Sequence, residues 1–564
     1  MNILNVPPEI LRLISDFLDH DALTKAVRTC KSWNMIMTPV LYRSFNHYQN
    51  PSAGALARHA HHIHYLDYQS YRQRDPLSSY SSLPGCSNLK GLDLSFNEGC
   101  KNEDRISAMV LILLNRKLLK LKIDEYNWSP EHQCYWSQAL SHCSRSLQEL
   151  SLVGIRLSAK DAQQLLSLAP TLQELQIENG ITEWSGSFTA NPQFPRLRKL
   201  DLNNALPTTA DELEWIKQCP NLQDLSWSSS RTKDGSYRVA FSGLGTHRWR
   251  KLRSISIWGN TALDDYQIAM LLASCSALKS VGICGTEFWY QSLSALERHF
   301  DTLEVIEFKR NPSARLWMCH WFLCRSPKLS TIFCDLIPVH DLMVSHEAER
   351  SRLHQSDYED RLDLQRLQAE ADNGGNIKEL MALVTRFAGI RDSVNTLPWV
   401  CLKLELLHSN FMIPANAGKD WDEAIFRHLS TLTKLKVLNM EDYLMGVPEG
   451  TRSLQLNLRS GLSELAPLKD LEKLLFEGTE QRMEHEDVQW ILDQWPKLTN
   501  ITTRLNTKKI KNLELQSMVS VLRDVEILSD SDTDGEEWDD SSSSRGDEDE
   551  DGDEDSDRDG DEDG

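Results

Sequence analysis

The sequence predicts an α/β solenoid in which short parallel strands alternate with helices. Three observations predict it. The string Leu-x-x-Leu-x-Leu recurs, as at Leu89-x-x-Leu92-x-Leu94, Leu147-x-x-Leu150-x-Leu152 and Leu197-x-x-Leu200-x-Leu202. Its leading apolar residue falls at Ile63, Leu89, Leu118, Leu147, Leu172, Leu197, Leu222, Leu252, Leu278, Leu303 and Leu329, in steps of 25 to 30 residues. Between the strings lie stretches with apolar residues at helical spacing, such as Ala159–Ala169 and Tyr266–Cys275.

Each element follows from that repeat. A strand turns alternate residues to opposite faces. Leu150 and Leu152 are therefore expected inside, with Glu149, Ser151 and Val153 outside. One repeat cannot bury its apolar side alone, whereas a stack shares a continuous core and aligns its strands into a parallel sheet. A period in the twenties carrying this string is that of leucine-rich repeats, whose solenoid is a horseshoe. The string returns, less regularly, at Leu397, Leu435, Leu471 and Leu498. The predicted layout is a helical unit over 1–45, repeats over 46–337, a charged insertion with a helix over 338–396, repeats over 397–528 and a tail over 529–564. Within the insertion, Ser345–Asn376 is dense in charge and Ile377–Ile390 is apolar enough for a packed helix.

The formal net charge is −21 over 564 residues. Residues 530–564 hold 20 Asp and Glu against Arg545 and Arg558, a local −18, which leaves −3 for the rest. That composition predicts a disordered acidic tail, because it cannot bury enough apolar surface to fold. No apolar run approaches the roughly 18 residues of a membrane span. The N-terminus lacks a basic segment followed by an apolar stretch, so no secretory signal is expected, and the cytosol or nucleus is the default. No clustered cations along the sequence point to nucleic acid.

Chemistry-bearing motifs are sparse. Cys86, Cys143, Cys219 and Cys275 recur three or four residues before a leading Leu, which marks packing positions. His59, His61, His62 and His64 read as a polar strand edge rather than a metal site, and neither metal nor cofactor is expected. Gly-x-x-x-x-Gly-Lys and Gly-x-Ser-x-Gly are both absent, and no acid pairs with an obvious base. The chain therefore reads as non-catalytic.

Residues 1–45 stand outside the repeat. Pro8 suits the first turn of a helix, and Ile10, Leu11, Ile14, Phe17 and Leu18 follow at helical spacing. Asp21 is placed to cap a second helix containing Leu23, Ala26, Val27 and Cys30. Trp33, Pro39, Leu41 and Tyr42 complete the segment. In this arrangement Pro7–Tyr42 resembles an F-box, departing mildly at Val6 and Thr29, where Leu and Val are usual. With repeats following directly, the chain resembles the F-box/leucine-rich-repeat family. The resemblance implies docking on the Skp adaptor of a cullin–RING (SCF-type) ubiquitin ligase, through Pro7, Pro8, Ile10, Leu11, Ile14, Leu18, Leu23, Cys30 and Trp33. It assigns the chemistry to other subunits and substrate capture to the repeats. From the residues alone, a helical cap for the first repeat remains an alternative, which would make the chain a repeat scaffold outside any ligase.

A partner surface is expected on the outward strand positions, chiefly Glu149, Glu174, Gln176, Glu178, Asp201, Asp224 and Trp258 on the concave face. From Glu149 to Asp224 those positions hold five acids against Lys199, which fits a basic protein partner. In the tail, Ser529, Ser531 and Thr533 each precede an acid by three residues, which suits an acid-directed kinase. Val525-Glu-Ile-Leu528 resembles a SUMO-interacting motif. A nuclear factor handling basic proteins such as histones is a third reading, resting on that tail.

Overall fold

The computed structural model describes residues 6–45, 58–70, 77–82, 85–97, 100–125, 140–143, 145–158, 167–179, 194–206, 209–228, 248–259, 263–308, 316–338, 377–394, 398–440, 451–476, 481–501 and 509–522, with single positions between them. The acidic tail, the SUMO-like motif, Ser345–Asn376 apart from one position, and most of Ala159–Ala169 lie outside the described residues.

The N-terminal unit is three short helices, Pro8–Ser15 (α1), His20–Ala26 (α2) and Lys31–Leu41 (α3). Pro8 occupies the first turn of α1, where its missing N–H costs nothing. The cap of α2 is Asp19 rather than Asp21. Its carboxylate accepts the Ala22 N–H at 2.7 Å, and Asp21 sits inside the first turn. The Cys30 sulfur accepts the Trp33 N–H at 3.5 Å and caps α3. Leu11, Leu23, Ala26, Ile36 and Met37 form a small core of their own, separate from that of the repeats.

The repeat strands stack beside this unit. Ser44–Phe45 (β1) pairs in parallel with Tyr65–Gln69 (β2). The parallel succession continues through Gly91–Ser95 (β3), Lys120–Asp124 (β4), Glu149–Val153 (β5), Glu174–Glu178 (β6), Lys199–Asn203 (β7), Asp224–Ser228 (β8), Ser254–Trp258 (β9), Ser280–Cys284 (β10), Val305–Phe308 (β11) and Thr331–Pro338 (β12). Leu406–Pro414 (β13) and Val437–Met440 (β14) follow in parallel, and Thr451–Arg452 (β15) lies antiparallel on the end of β13. Lys473–Phe476 (β16) and Asn500–Ile501 (β17) complete the parallel succession. Because β12 pairs directly with β13, both repeat blocks share one sheet across the insertion.

The register has no slip from β2 to β10, so equivalent residues form rows. Leu150, Leu175, Leu200, Leu225 and Ile255 make one buried row, and Leu152, Ile177, Leu202, Trp227 and Ile257 a second. One core runs from Phe45 to Val519. Cys86, Cys143, Cys219 and Cys275 are buried in it, and burial raises each thiol's pKa. Val153, expected outside, is also buried at 6% exposure, flanked by Asp124 and Glu178 in the neighbouring strands.

Two devices recur between repeats. The residue just after the strand is left-handed at Gly154, Asn179, Asn204, Gly259 and Gly285, with φ between 48° and 70°. Glycine and asparagine tolerate this conformation, and the turn lets the N–H of Gly154, Asn179, Asn204 and Gly259 donate to the next strand's last carbonyl. The second device is a buried polar side chain tying one helix to its neighbour. Asp265, in the first turn of helix Asp265–Ser274, accepts the N–H groups of Trp289 (2.7 Å), Gln291 (2.9 Å) and Ser292 (3.1 Å), at the start of helix Tyr290–Leu296.

The returning string falls at Leu404, not Leu397. Leu404 is buried two residues ahead of β13, as Leu435 is ahead of β14, and Leu406 registers with Val437. Leu397-x-x-Val400-x-Leu402 mimics the string, yet Val400 and Leu402 are exposed, and Leu397 lies outside the described residues. Helix Ile377–Val394 packs on the helices of earlier repeats. Phe387 stacks on Tyr290 at 5.4 Å and lies 6.1 Å from Trp317, and Arg386 pairs with Glu297. Helix Lys509–Leu522 packs against helix His485–Gln494 and buries Leu515 and Val519 at the far end.

Candidate functional site

The first candidate surface is the outer side of α1. Leu11 and Ser15 face the small core, which leaves the opposite side of the helix uncovered. Ile10, Leu13, Ile14 and Phe17 stand there at spacings of three, four and seven, exposed by 46%, 57%, 44% and 88%. Met35 on α3 is exposed as well. Three large apolar side chains open on α1, with Phe17 in the turn just after it, form an uncovered patch of the kind that marks an interaction site.

The nine sequence-predicted adaptor residues divide. Pro7, Pro8, Ile10 and Ile14 are open to solvent. Leu11 and Leu23 are core residues, so they shape the unit and offer no contact. Leu18 and Trp33 are half-buried against that core, and Cys30 is half-buried at the α3 cap. The expected set omitted Leu13, Phe17 and Met35. The 10, 13, 14, 17 spacing carried the signal for two of them, but a broad apolar stripe does not say which edge faces the core.

The repeats do not cover this face. The unit joins the sheet through its C-terminal end, where the Arg43 carbonyl accepts the His64 and Tyr65 N–H groups at 2.8 and 3.0 Å. Phe45 enters the repeat core and shields the first strand's side. The capping role foreseen as an alternative thus falls to β1.

The second candidate surface is the outward side of the sheet. Register places Lys120, Glu149, Glu174, Lys199 and Asp224 in one row, and Asp93, Lys122, Ser151, Gln176, Asp201 and Ser226 in the next. A third row holds Asp124, Val153, Glu178, Asn203, Ser228 and Trp258. The acids are more compensated than their own stretch implied. Lys120 pairs with Glu149 at 3.0 Å and Lys122 with Asp93 at 3.6 Å. Glu174, Glu178, Asp201 and Asp224 have no ion pair among the described residues. Partial burial raises the pKa of Glu178, with Asp201 and Asp124 adding to the shift. Burial also raises Asp201, against the Ser226 hydroxyl and Lys199. Gln176 accepts the Ser151 hydroxyl at 2.9 Å, so it is engaged within the sheet.

Trp258 stands at the end of this face, 39% exposed, with its indole N–H donating to the Ser256 hydroxyl. Gly282 neighbours Ser256 in the register, and a Cβ there would lie 2.9 Å from the Ser256 Oγ. The glycine keeps that hydroxyl, and hence the indole, in place. Trp258 is three strand spacings from Glu178, about 14 Å. A single extended segment could touch both.

Comparison with known proteins adds one family. An F-box-like family model matches residues 3–47, which contain α1–α3 and β1. No curated protein matches the chain. Among solved structures, a leucine-rich-repeat protein of Leptospira interrogans is similar at 14% identity and a TM-score of 0.34, covering 80% of this chain and 98% of its own. A yeast Rad7–Elc1 complex is similar at 13% identity and a TM-score of 0.34, covering 56% of this chain and 92% of its own. The chain is a leucine-rich-repeat solenoid carrying an F-box-like unit at its N-terminus.

Proposed function

We propose that this chain is the substrate-recognition subunit of an SCF-type ubiquitin ligase. The outer side of α1 docks on the Skp adaptor, which links it to the cullin, and the outward sheet face holds a protein substrate. One observation carries the reading: Ile10, Leu13, Ile14 and Phe17 are open although the unit has closed its own core and the repeats leave them uncovered. The chain itself is non-catalytic in this reading and works in the cytosol or nucleus.

The substrate presents a basic segment. Glu174, Glu178, Asp201 and Asp224 supply charge that steers it, and Trp258 supplies an aromatic anchor. A pull-down of the full chain tests the ligase reading. Wild type should retain adaptor and cullin, and an Ile14→Asp/Phe17→Asp variant should lose both while melting at the same temperature. If neither protein retains adaptor, the chain is a repeat scaffold instead.

A further inference from the structure

Cations from successive turns, four of them in the run Arg248–Arg253, converge on one edge of the sheet. The turns that enter the strands are held side by side by backbone bonds: Arg198 N–H to Gln173 O, Gln223 to Arg198, Arg253 to Gln223, and Lys279 to Arg253, all 2.7–2.8 Å. The eight turns 86–90, 115–119, 144–148, 169–173, 194–198, 219–223, 248–253 and 275–279 contain eleven Lys and Arg and no Asp or Glu. The densest part is Arg196, Arg198, Arg248, Arg250, Lys251 and Arg253, all exposed. Among the described residues only Lys279, at the last of these turns, pairs with an acid, Glu304.

The same edge beyond β10 is different. There lysines and acids pair: Lys436 with Glu405 at 2.8 Å, and Lys497 and Lys434 with Asp470 at 2.7 and 3.7 Å. Acids enter the turns there and offset part of the charge, so the positive charge is densest in the N-terminal half. It spans seven strand spacings, about 34 Å.

We propose that the acidic segment 530–564 of the same chain docks along this edge. The segment carries −18, and the edge is the complementary surface that the fold assembles. It is repelled from the acidic outward face, so the edge is also selected against that alternative. The chain allows the contact. The turn 248–253 lies seven strand spacings from β17, about 34 Å. The 42 residues after Leu522 span at most about 140 Å. Tethering raises the local concentration of the segment to roughly millimolar, so modest affinity suffices. Phosphate on Ser529, Ser531 or Thr533 would add charge of the same sign and tighten the contact.

The test is zero-length carbodiimide coupling of the full chain, read by mass spectrometry. The expected product joins Lys251 to carboxylates of 530–564, and about 0.5 M sodium chloride removes it, since screening then acts over a few ångströms. Arg248→Glu/Arg250→Glu/Arg253→Glu keeps Lys251 as the reporter and should lower its coupling at least tenfold. Coupling unchanged by that reversal, or spread equally over Lys328 and Lys469, overturns the proposal. A second full-length variant replaces the eight acids of 547–555 by Asn and Gln. It should leave heparin at higher salt, and bind a double-stranded oligonucleotide at least tenfold more tightly, than wild type. Equal elution and equal affinity would mean that the edge is open to free polyanions, and the docked tail would be excluded.

Discussion

Single residues separate what holds the molecule from what it shows to others. Leu11 and Phe17 belong to the same apolar stripe, yet one is core and the other is 88% exposed. Leu11→Ala should therefore destabilise the N-terminal unit by about 2–5 kcal/mol, a loss readable in its thermal melt. Ile14→Asp/Phe17→Asp should leave that melt unchanged, because both positions are solvated. Asp265 makes a different point. Its carboxyl is fully buried, and desolvation raises its pKa to about 6 against the accepted N–H groups, which lower it. The folded state thus holds this proton more tightly than the unfolded chain. Its ionisation opposes folding above pH 6, and the opposition fades as pH falls from about 6 toward 4. Urea melts of wild type against Asp265→Asn should show the wild type gaining relative stability over that window. A pH-independent difference would mean that Asp265 is not the titrating group. None of this was visible in the sequence, where Asp264 and Asp265 are two adjacent acids; the structure makes Asp264 the cap and buries Asp265.

Elements were the most legible scale, because a strand's period of two and the repeat's period near 26 are both local signals. The leading residues from Ile63 to Leu329 are all buried where the string put them. The failure at Leu397 was also local: an apolar run satisfied the string, and only pairing with β14 distinguishes Leu404. The left-handed position that follows five of the strands leads to a sharp prediction. Asn204→Val forces a β-branched residue into φ 48° and should cost about 1–2 kcal/mol or more, whereas Asn204→Gly should be nearly neutral. On the sheet face, Glu174→Lys/Glu178→Lys should abolish capture of a basic partner without lowering stability. A cationic partner favours the ionised carboxylates, so capture should weaken as pH falls through the raised pKa values of Glu178 and Asp201. Capture that survives both the reversal and acid would remove the electrostatic account of this face.

The whole molecule was the least legible. Rows across the sheet join residues about 25 apart in sequence, so a linear reading shows the run Arg248–Arg253 but neither the Lys120–Glu149 pairing nor the extension of the basic edge over neighbouring turns. Helix Ile377–Val394 was recognisable as apolar, but its seat on Tyr290 and Trp317 depends on a fold that brings positions 97 and 70 residues apart together. The architecture that results is a continuous core with a small helical unit joined to it through β1, its apolar side open to solvent. That geometry makes adaptor binding the central claim, and one measurement bears on it most directly. Purified Skp adaptor is titrated calorimetrically into the full chain and into its Ile14→Asp/Phe17→Asp variant, with matched melting temperatures. The account predicts a saturable one-to-one complex for wild type, with the negative heat-capacity change of apolar burial, and affinity at least a hundredfold weaker for the variant. Equal heats for the two proteins, or no binding by a folded wild type, would contradict it.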